Sequence, residues 1–260
     1  MKKLWILLWI CIGLPFPILA QENDEPKDTS QPAPGVLIVP FQGMMYFSDA
    51  DQDIARSSKM NERQVGAELT NKMELNIYHQ LLAHFNAISL KRSTSLNGEE
   101  DLRRIYAATR YTLYSRSPDQ TKVAPDDGPQ DAEADALVKT WNKKTKEQRF
   151  WVNDTAVMLG SIQSDEVFKY LYKKHHAKYI LFLTQFEINT NNKNSIEWTT
   201  QKYKHTYTLH YNLYHQSGRL LRAETLILQG DNENRLELIS QKVLPILAQK
   251  LDEIMIEVER

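Results

Sequence analysis

Cysteine is almost absent from this 260-residue chain, whose single cysteine is Cys11. Cys11 lies inside an apolar run near the amino terminus, and a chain that loses this run has no thiol left. Disulfide bonds and thiol chemistry are then excluded. Because many exported bacterial proteins lack disulfides, this composition favours a periplasmic protein over a small secreted domain built on disulfides.

The chain also has little net charge, since 32 basic and 33 acidic residues give −1 at pH 7. Loss of residues 1–20 removes Lys2 and Lys3 and leaves 30 basic and 33 acidic residues, which gives −3. This balance provides no general attraction to nucleic acid or to anionic lipid. We therefore expect no nucleic-acid partner.

Recognisable catalytic and metal-binding motifs are missing as well. The sequence has no His-Glu-x-x-His, no Gly-x-Ser-x-Gly and no phosphate loop. Its histidines are poorly placed for a shared metal, since His205 and His210 are five residues apart on one predicted strand and so point to opposite faces. The sequence therefore predicts no catalytic residue, no metal site and no cofactor.

The longest apolar run, residues 4–14, is too short for the ~20 residues that a bilayer-spanning helix needs. It follows Lys2 and Lys3 and precedes the small residue Ala20, which is the order of a secretory signal peptide. We expect residues 1–20 to be a signal peptide that is cleaved after Ala20. The product would be periplasmic or secreted, with no membrane span after cleavage.

The rest of the sequence predicts one folded domain behind a flexible linker. Residues 21–35 are polar, with three prolines and four acidic residues, so they cannot bury enough apolar area to become ordered. The domain is expected to cover 36–260, because one domain is a reasonable count for this length. An insertion is expected at about 92–163, where prolines and acidic clusters indicate a solvated excursion.

Hydrophobic periodicity predicts an α/β (α+β) fold with a mixed sheet of about five strands. Residues 36–39 and 179–183 are continuous apolar runs, typical of strands buried on both faces. Apolar residues four apart over 65–85 predict an amphipathic helix packed on the sheet. The insertion is predicted to be largely helical, with helices over 99–113 and 136–150.

Residues 203–213 show the clearest alternation in the chain. Tyrosines and leucines at odd positions alternate with polar residues at even positions. A turn at 216–218 and a further apolar run predict a long hairpin whose odd-numbered face is buried. The last predicted element is a carboxy-terminal helix over 236–258, kinked at Pro245 because proline removes a backbone donor.

A loop is expected over 42–60, directly after the first strand. Asp49, Asp51 and Asp53 in this loop have the one-three-five spacing of a calcium loop. Ile54 stands where such a loop needs glycine, so we expect no calcium site there.

The same loop contains the candidate contact residues, which are Tyr46, Phe47, Asp49 and Asp51. Loops at strand ends are positioned by a rigid scaffold, so these side chains are suited to contact a partner. In the alternative interpretation, the aromatic residues pack internally and the aspartates cap a turn or a helix.

Several short motifs occur in the order seen in one group of periplasmic proteins. A first strand ends in an apolar-Pro-Phe sequence over 36–41, a helix ends in a small-residue turn before a strand over 175–181, and a long hairpin and a helix follow. In this order the chain resembles curli-secretion lipoproteins, penicillin-binding-protein activator lipoproteins and the amino-terminal domain of the Tol–Pal protein TolB. Residues 46–51 also look like uncharacterised exported proteins of Bacteroidota. The resemblance covers about 36–91 and 164–258, implies an α/β domain of the cell envelope, and supplies no catalytic residue.

Three functional hypotheses follow. The first is a non-enzymatic binding or assembly module whose partner is a protein or another component of the cell envelope. The second is an exported enzyme with a dispersed acidic site around 46–53, because a mixed α/β sheet can host many chemistries. The third is a lipid-anchored outer-membrane component that uses Cys11, although Trp9 and Ile10 stand where a lipoprotein usually carries a small residue.

Overall fold

A six-stranded mixed sheet organises the protein in the computed structural model, which describes residues 33–93, 97–115, 156–190, 204–230 and 233–260. These residues belong to one compact unit. The described strands are β1 (Gly35–Val39), β2 (Tyr46–Ser48), β3 (Asn86–Ser89), β4 (Thr109–Ser115), β5 (Ala156–Ile162), β6 (Tyr179–Thr190), β7 (His205–His215) and β8 (Leu220–Gly230). The described helices are α1 (Asp51–Ser58), α2 (Glu62–Leu81), α3 (Gly98–Ala107), α4 (Asp165–His175), α5 (Leu236–Lys242) and α6 (Leu244–Glu259).

The sheet is parallel in one half and antiparallel in the other. Its order is β3-β1-β6-β7-β8, with parallel pairs from β3 to β6 and antiparallel pairs from β6 to β8. β1 and β2 both pair in parallel with β6, β1 with residues 179–182 and β2 with residues 186–188. The predicted α/β (α+β) class, with its mixed sheet, long hairpin and carboxy-terminal helical segment, is thereby confirmed.

Four helices, α1, α2, α5 and α6, cover one face of the sheet. Asn61 starts α2 by accepting a hydrogen bond from the Gln64 N–H, while the Gln64 side chain accepts from the Asn61 N–H. Each fully buried side chain of this helix contributes about 1.5–3 kcal/mol of hydrophobic stabilisation. The buried stripe agrees with the predicted periodicity and consists of Val65, Leu69, Met73, Ile77 and Leu81.

The carboxy-terminal segment forms two helices where the sequence predicts one kinked helix. α5 ends at Lys242 and α6 begins at Leu244. Pro245 lies in the first turn of α6, where the backbone N–H groups have no intrahelical partner in any case. The disturbance expected at Pro245 takes the form of an interruption of the helical segment at Val243, two residues before the proline. None of the helices in the described part of the chain is both long and apolar enough to cross a lipid bilayer.

An antiparallel ribbon of β4 and β5 lies on the other face of the sheet, together with α3 and α4. The helix expected over 99–113 is shorter than predicted, because it ends at Ala107 and β4 follows. Residues 109–115 are mostly threonines, tyrosines and other residues that favour strands. The helix predicted over 136–150 lies outside the described residues.

Side chains of the sheet hold the backbone of β5. The Met158 N–H donates to His210 Nδ1 at 3.1 Å, and the Gly160 N–H donates to Asn212 Oδ1 at 2.6 Å. The Tyr214 hydroxyl donates to the Gly160 carbonyl at 2.7 Å. β5 pairs with β4 along one edge, so these side chains satisfy the backbone groups of its other edge.

The hairpin prediction is confirmed for one face and incomplete for the other. β7 lies beside β6, and its odd-numbered residues Tyr207, Leu209, Tyr211 and Leu213 are fully buried against the helices. His210 and Asn212 on the even face are buried as well, because they bind β5. Tyr203, the first residue of the predicted set, lies outside the described residues.

Candidate functional site

Residues 46–53 form a strand and the start of a helix, so the prediction of a loop over 42–60 is wrong. In β2, Tyr46 lies opposite Phe186 and Ser48 lies opposite Ile188 of β6. The first turn of α1 begins at Asp51. Three strand residues are too few for alternation to be visible in a sequence, which is why no pattern predicts β2.

The Asp49 side chain links the end of β2 to the end of β6 through hydrogen bonds. Its Oδ1 accepts hydrogen bonds from the Thr190 N–H and from Thr190 Oγ1, both at 2.8 Å. Beside it, Ser48 Oγ accepts from the Ala50 N–H at 3.1 Å, and the chain turns directly into α1. These contacts correspond to the internal interpretation of this aspartate.

Tyr46 and Asp51 form a hydrogen-bonded pair at the start of α1. The Tyr46 hydroxyl donates to Asp51 Oδ1 at 2.5 Å. The Tyr46 ring lies 6.0 Å from the ring of Phe186 and directly on Gly66 of α2. A Cβ added at Gly66 would lie 2.7 Å from Tyr46 Cε1, so the absence of a side chain there lets the ring approach the helix backbone.

Burial changes the proton affinity of both partners in this pair. It raises the pKa of the Asp51 carboxyl above its ordinary 3.8, although hydrogen bonds from Tyr46 and Ser48 oppose this. Burial also raises the pKa of the Tyr46 hydroxyl well above 10.0, and the neighbouring Asp51 adds to the effect. The tyrosine therefore remains a protonated donor at physiological pH.

Phe47 does not share a surface with Tyr46. Successive residues of a strand point to opposite faces, and Phe47 lies opposite Glu187 in the sheet register. Of the four residues selected from the sequence, the structure brings Tyr46 and Asp51 together. It places Phe47 on the other face and directs Asp49 toward β6.

A cleft of about 630 Å³ opens beside the tyrosine–aspartate pair, and we call it the Tyr46 cleft. Its walls come from the turn after β1, the first half of α2 and the turn after β3. This volume is within the usual range of about 300–1,000 Å³ for ligand sites. The lining residues include Phe41, Tyr46, Asp51, Arg63, Ala67 and Lys91.

The Tyr46 cleft lies at the carboxyl ends of the parallel strands β1 and β3. Ligands of open α/β sheets bind outside the carboxyl ends of the strands, so this end of the sheet is a physically reasonable place for a binding site. A second cleft of about 470 Å³, the α3 cleft, lies at the start of α3 and shares Lys91 with the first.

The three aspartates of the calcium-like spacing do not converge on one point. Asp49 faces β6, Asp51 accepts a tyrosine hydroxyl, and Asp53 pairs with Arg56 at 3.2 Å. Within the described ranges, no group of three or more His, Cys, Asp and Glu side chains could hold a metal ion.

A buried ionic cluster between α3 and α4 has no signature in the sequence. Asp101 accepts hydrogen bonds from the Tyr170 hydroxyl at 2.8 Å, Lys174 Nζ at 2.8 Å and His175 Nε2 at 2.7 Å. Burial alone would raise the pKa of Asp101, but these hydrogen bonds lower it below 3.8. The sequence explains His175 only as a partner of the helix dipole, since Asp101 is 74 residues away.

The sequence predicted Tyr46 and Asp51 as site residues, but it did not predict the residues on the opposite wall of the Tyr46 cleft. Arg63 and Gly66 belong to α2, and Lys91 lies two residues after the end of β3. The position of Lys91 soon after a predicted strand could have identified it, because the carboxyl ends of neighbouring parallel strands meet at one edge of a sheet.

No protein-family model matches the chain, and no curated protein matches its sequence. Its function must therefore be inferred from its own residues and their geometry.

Proposed function

We propose that the protein is an exported, non-enzymatic binding or assembly module of the cell envelope, and that it contacts its partner through the Tyr46 cleft. One observation carries the proposal: Tyr46 and Asp51, both selected from the sequence, line a cleft at the carboxyl ends of β1 and β3. The order of a signal peptide at residues 1–20 and the resemblance to periplasmic envelope domains support export.

The wall of this cleft is suited to recognition because the core holds it in place. Tyr46 is fixed by its hydrogen bond to Asp51 and by the contact of its ring with Gly66. A side chain that is already fixed loses little conformational freedom when a partner binds. Phe41 adds aromatic surface and Arg63 adds a charged donor, and both residue types are enriched in protein interfaces.

The capture of envelope components by variants that fill the cleft tests the proposal. Ala67 is exposed on α2 and lines the cleft, so Ala67→Trp occupies the space without disturbing the core. The tagged protein, crosslinked in envelope extracts, is expected to retain a specific partner, and Ala67→Trp is expected to lose it.

The matched control is Ala107→Trp, at an exposed helical alanine that lines neither cleft. It should retain the partner as the wild type does. Equal capture by Ala67→Trp and the wild type would contradict a contact surface at the Tyr46 cleft.

An exported enzyme is the second candidate, and the raised pKa of Asp51 inside a cleft favours it. Carboxyl groups with perturbed pKa values cluster at catalytic sites. Asp51→Asn separates the two proposals: an enzyme loses turnover of its substrate and keeps its fold, whereas a binding module has no turnover in the wild type.

The mass of the exported protein's amino terminus tests the proposed export. A chain beginning at Gln21 is expected from cleavage after Ala20. A chain beginning at a lipid-modified Cys11 would instead support the lipid-anchored alternative.

A further inference from the structure

One buried histidine, His210 of β7, makes two contacts that require opposite protonation states. Its side chain is fully buried between the sheet and β5. Its Nδ1 accepts a hydrogen bond from the Met158 N–H at 3.1 Å. A ring nitrogen accepts only when it carries no proton, so this bond requires the neutral imidazole with its proton on Nε2.

The other ring nitrogen lies beside a buried carboxylate. His210 Nε2 is 3.4 Å from Glu187 Oε1 of β6, and Glu187 is 1% exposed. The side-chain amides of Gln185 and Asn189 donate to this carboxylate, but both are neutral. In the described part of the chain, His210 is the only side chain in contact with Glu187 that can become a cation. Because a buried carboxylate is costly without a positive partner, Glu187 favours the imidazolium.

The other elements packed on the ring present no further charge among the described residues. β8 contributes Thr225, whose Oγ1 lies 3.0 Å from His210 Nδ1 and donates to the Ala156 carbonyl at 3.2 Å. β5 contributes the backbone of Ala156 and Met158. A protonated Nδ1 can therefore donate to Thr225 Oγ1, whereas the Met158 N–H then loses its acceptor.

We propose that His210 is an acid-sensitive latch that holds the ribbon of β4 and β5 on the sheet. The neutral ring binds the Met158 N–H. A proton taken up from solvent at Nδ1 breaks this bond and forms an ion pair with Glu187, so β5 loosens around Met158. Histidine suits this role because its charge ordinarily changes between about pH 5 and pH 8. The inference goes beyond the proposed binding function and does not depend on it.

Nuclear magnetic resonance of the purified protein between about pH 7.5 and about pH 5 tests the inference. The ¹⁵N shifts of the His210 ring are expected to change from those of a neutral imidazole protonated at Nε2 to those of an imidazolium. The hydrogen-exchange protection factor of the Met158 amide should fall by about tenfold or more, because this amide loses its acceptor. The Gly160 amide is the internal control and should keep its protection, since its acceptor, Asn212, does not titrate.

Glu187→Gln removes the charge that favours the imidazolium. In this variant the Met158 amide should keep its protection down to about pH 5. The matched control is Glu224→Gln, at a glutamate of β8 that accepts from the hydroxyl of Tyr211, a residue of the helix-covered face. Its Met158 amide should respond to acid as that of the wild type does.

Several results would overturn the inference. A His210 ring that stays neutral at about pH 5, or one that is already charged at about pH 7.5, would contradict a latch. Equal loss of protection at Met158 and Gly160 would show general loosening of the ribbon in acid. A Met158 response that persists in Glu187→Gln would contradict the ion pair. The ring shifts are measured in the wild type, so an unstable Glu187→Gln would leave this test intact.

Discussion

Gly66→Ala should destabilise the protein even though alanine is the better residue for a helix. At an unobstructed helix position this substitution stabilises by about 0.5–1 kcal/mol. At Gly66 the new Cβ would lie 2.7 Å from Cε1 and 2.8 Å from Cδ1 of Tyr46. Normal carbon contacts are at about 3.5–4 Å, so the ring or the helix must shift by roughly 1 Å.

Such a shift carries a cost that exceeds the gain in helix propensity. The Tyr46 ring is held by its hydrogen bond to Asp51 and by its contact with Phe186. Overpacking of a well-packed site typically costs about 1–3 kcal/mol. After the helix gain of about 0.5–1 kcal/mol is subtracted from a mid-range cost of about 2 kcal/mol, Gly66→Ala should lower the free energy of unfolding by about 1 kcal/mol.

Urea unfolding of the wild type, Gly66→Ala, Tyr46→Ala and the double variant measures this coupling. Without the tyrosine ring the obstruction is gone, so Gly66→Ala should stabilise the Tyr46→Ala background by about 0.5–1 kcal/mol. The expected result is therefore a reversal of sign between the two backgrounds. Equal stabilisation in both would show that the ring moves freely, and would refute a rigid wall for the Tyr46 cleft.

Two further predictions concern the other side of the sheet. Asp101→Asn should lower the free energy of unfolding at neutral pH by about 1–3 kcal/mol. Because folding lowers the pKa of Asp101, the ionised carboxylate stabilises the folded state fully above pH 3.8, and this stabilisation is lost as the pH falls through the pKa of the folded state. The free energies of unfolding of variant and wild type should therefore converge in acid. A difference between them that stays constant with pH would refute this. Asn212→Ala should cost about 1–3 kcal/mol and speed hydrogen exchange at the Gly160 amide, which loses its buried acceptor. The control Asn86→Ala, at an exposed position, should change stability by less than about 0.5 kcal/mol, and unaltered Gly160 exchange in Asn212→Ala would contradict the proposed role of the side chain.

The long elements were predictable because each buries one face over many residues. Apolar residues four apart over 65–85 predicted α2, and alternation over 203–213 predicted β7. A period repeated several times is a strong signal, and the fold class follows from the order of such elements.

The ribbon of β4 and β5 was not predictable from local pattern. The position of β5 on the sheet depends on His210 and Asn212. Each of these side chains accepts a hydrogen bond from a backbone N–H that is 52 residues away in the sequence. Polar residues at even positions of β7 are expected to face water, whereas here they satisfy the backbone of another strand. Such a role arises only from tertiary contact.

Only part of the candidate site was predictable, because its residues come from segments that are distant in the sequence. Tyr46 and Asp51 are close in sequence and lie in a short segment that is rich in aromatic and acidic residues. Arg63 and Lys91 join them only because α2 and β3 return to the same edge of the sheet. A sequence reveals which residues follow a strand, but the strand order decides which of them share a cleft.

Site-specific photocrosslinking in living cells tests the binding role of the Tyr46 cleft most directly. A photoreactive residue at position 44 replaces Met44, which is 68% exposed and lies next to the cleft residue Gly43. The control position is Tyr172, which is 44% exposed on α4 and lines neither cleft. One envelope component should crosslink from position 44 and not from position 172, and the product should disappear when Ala67→Trp fills the cleft. Equal crosslinking from both positions, or a product from position 44 that persists with Ala67→Trp, would contradict a partner surface at this cleft.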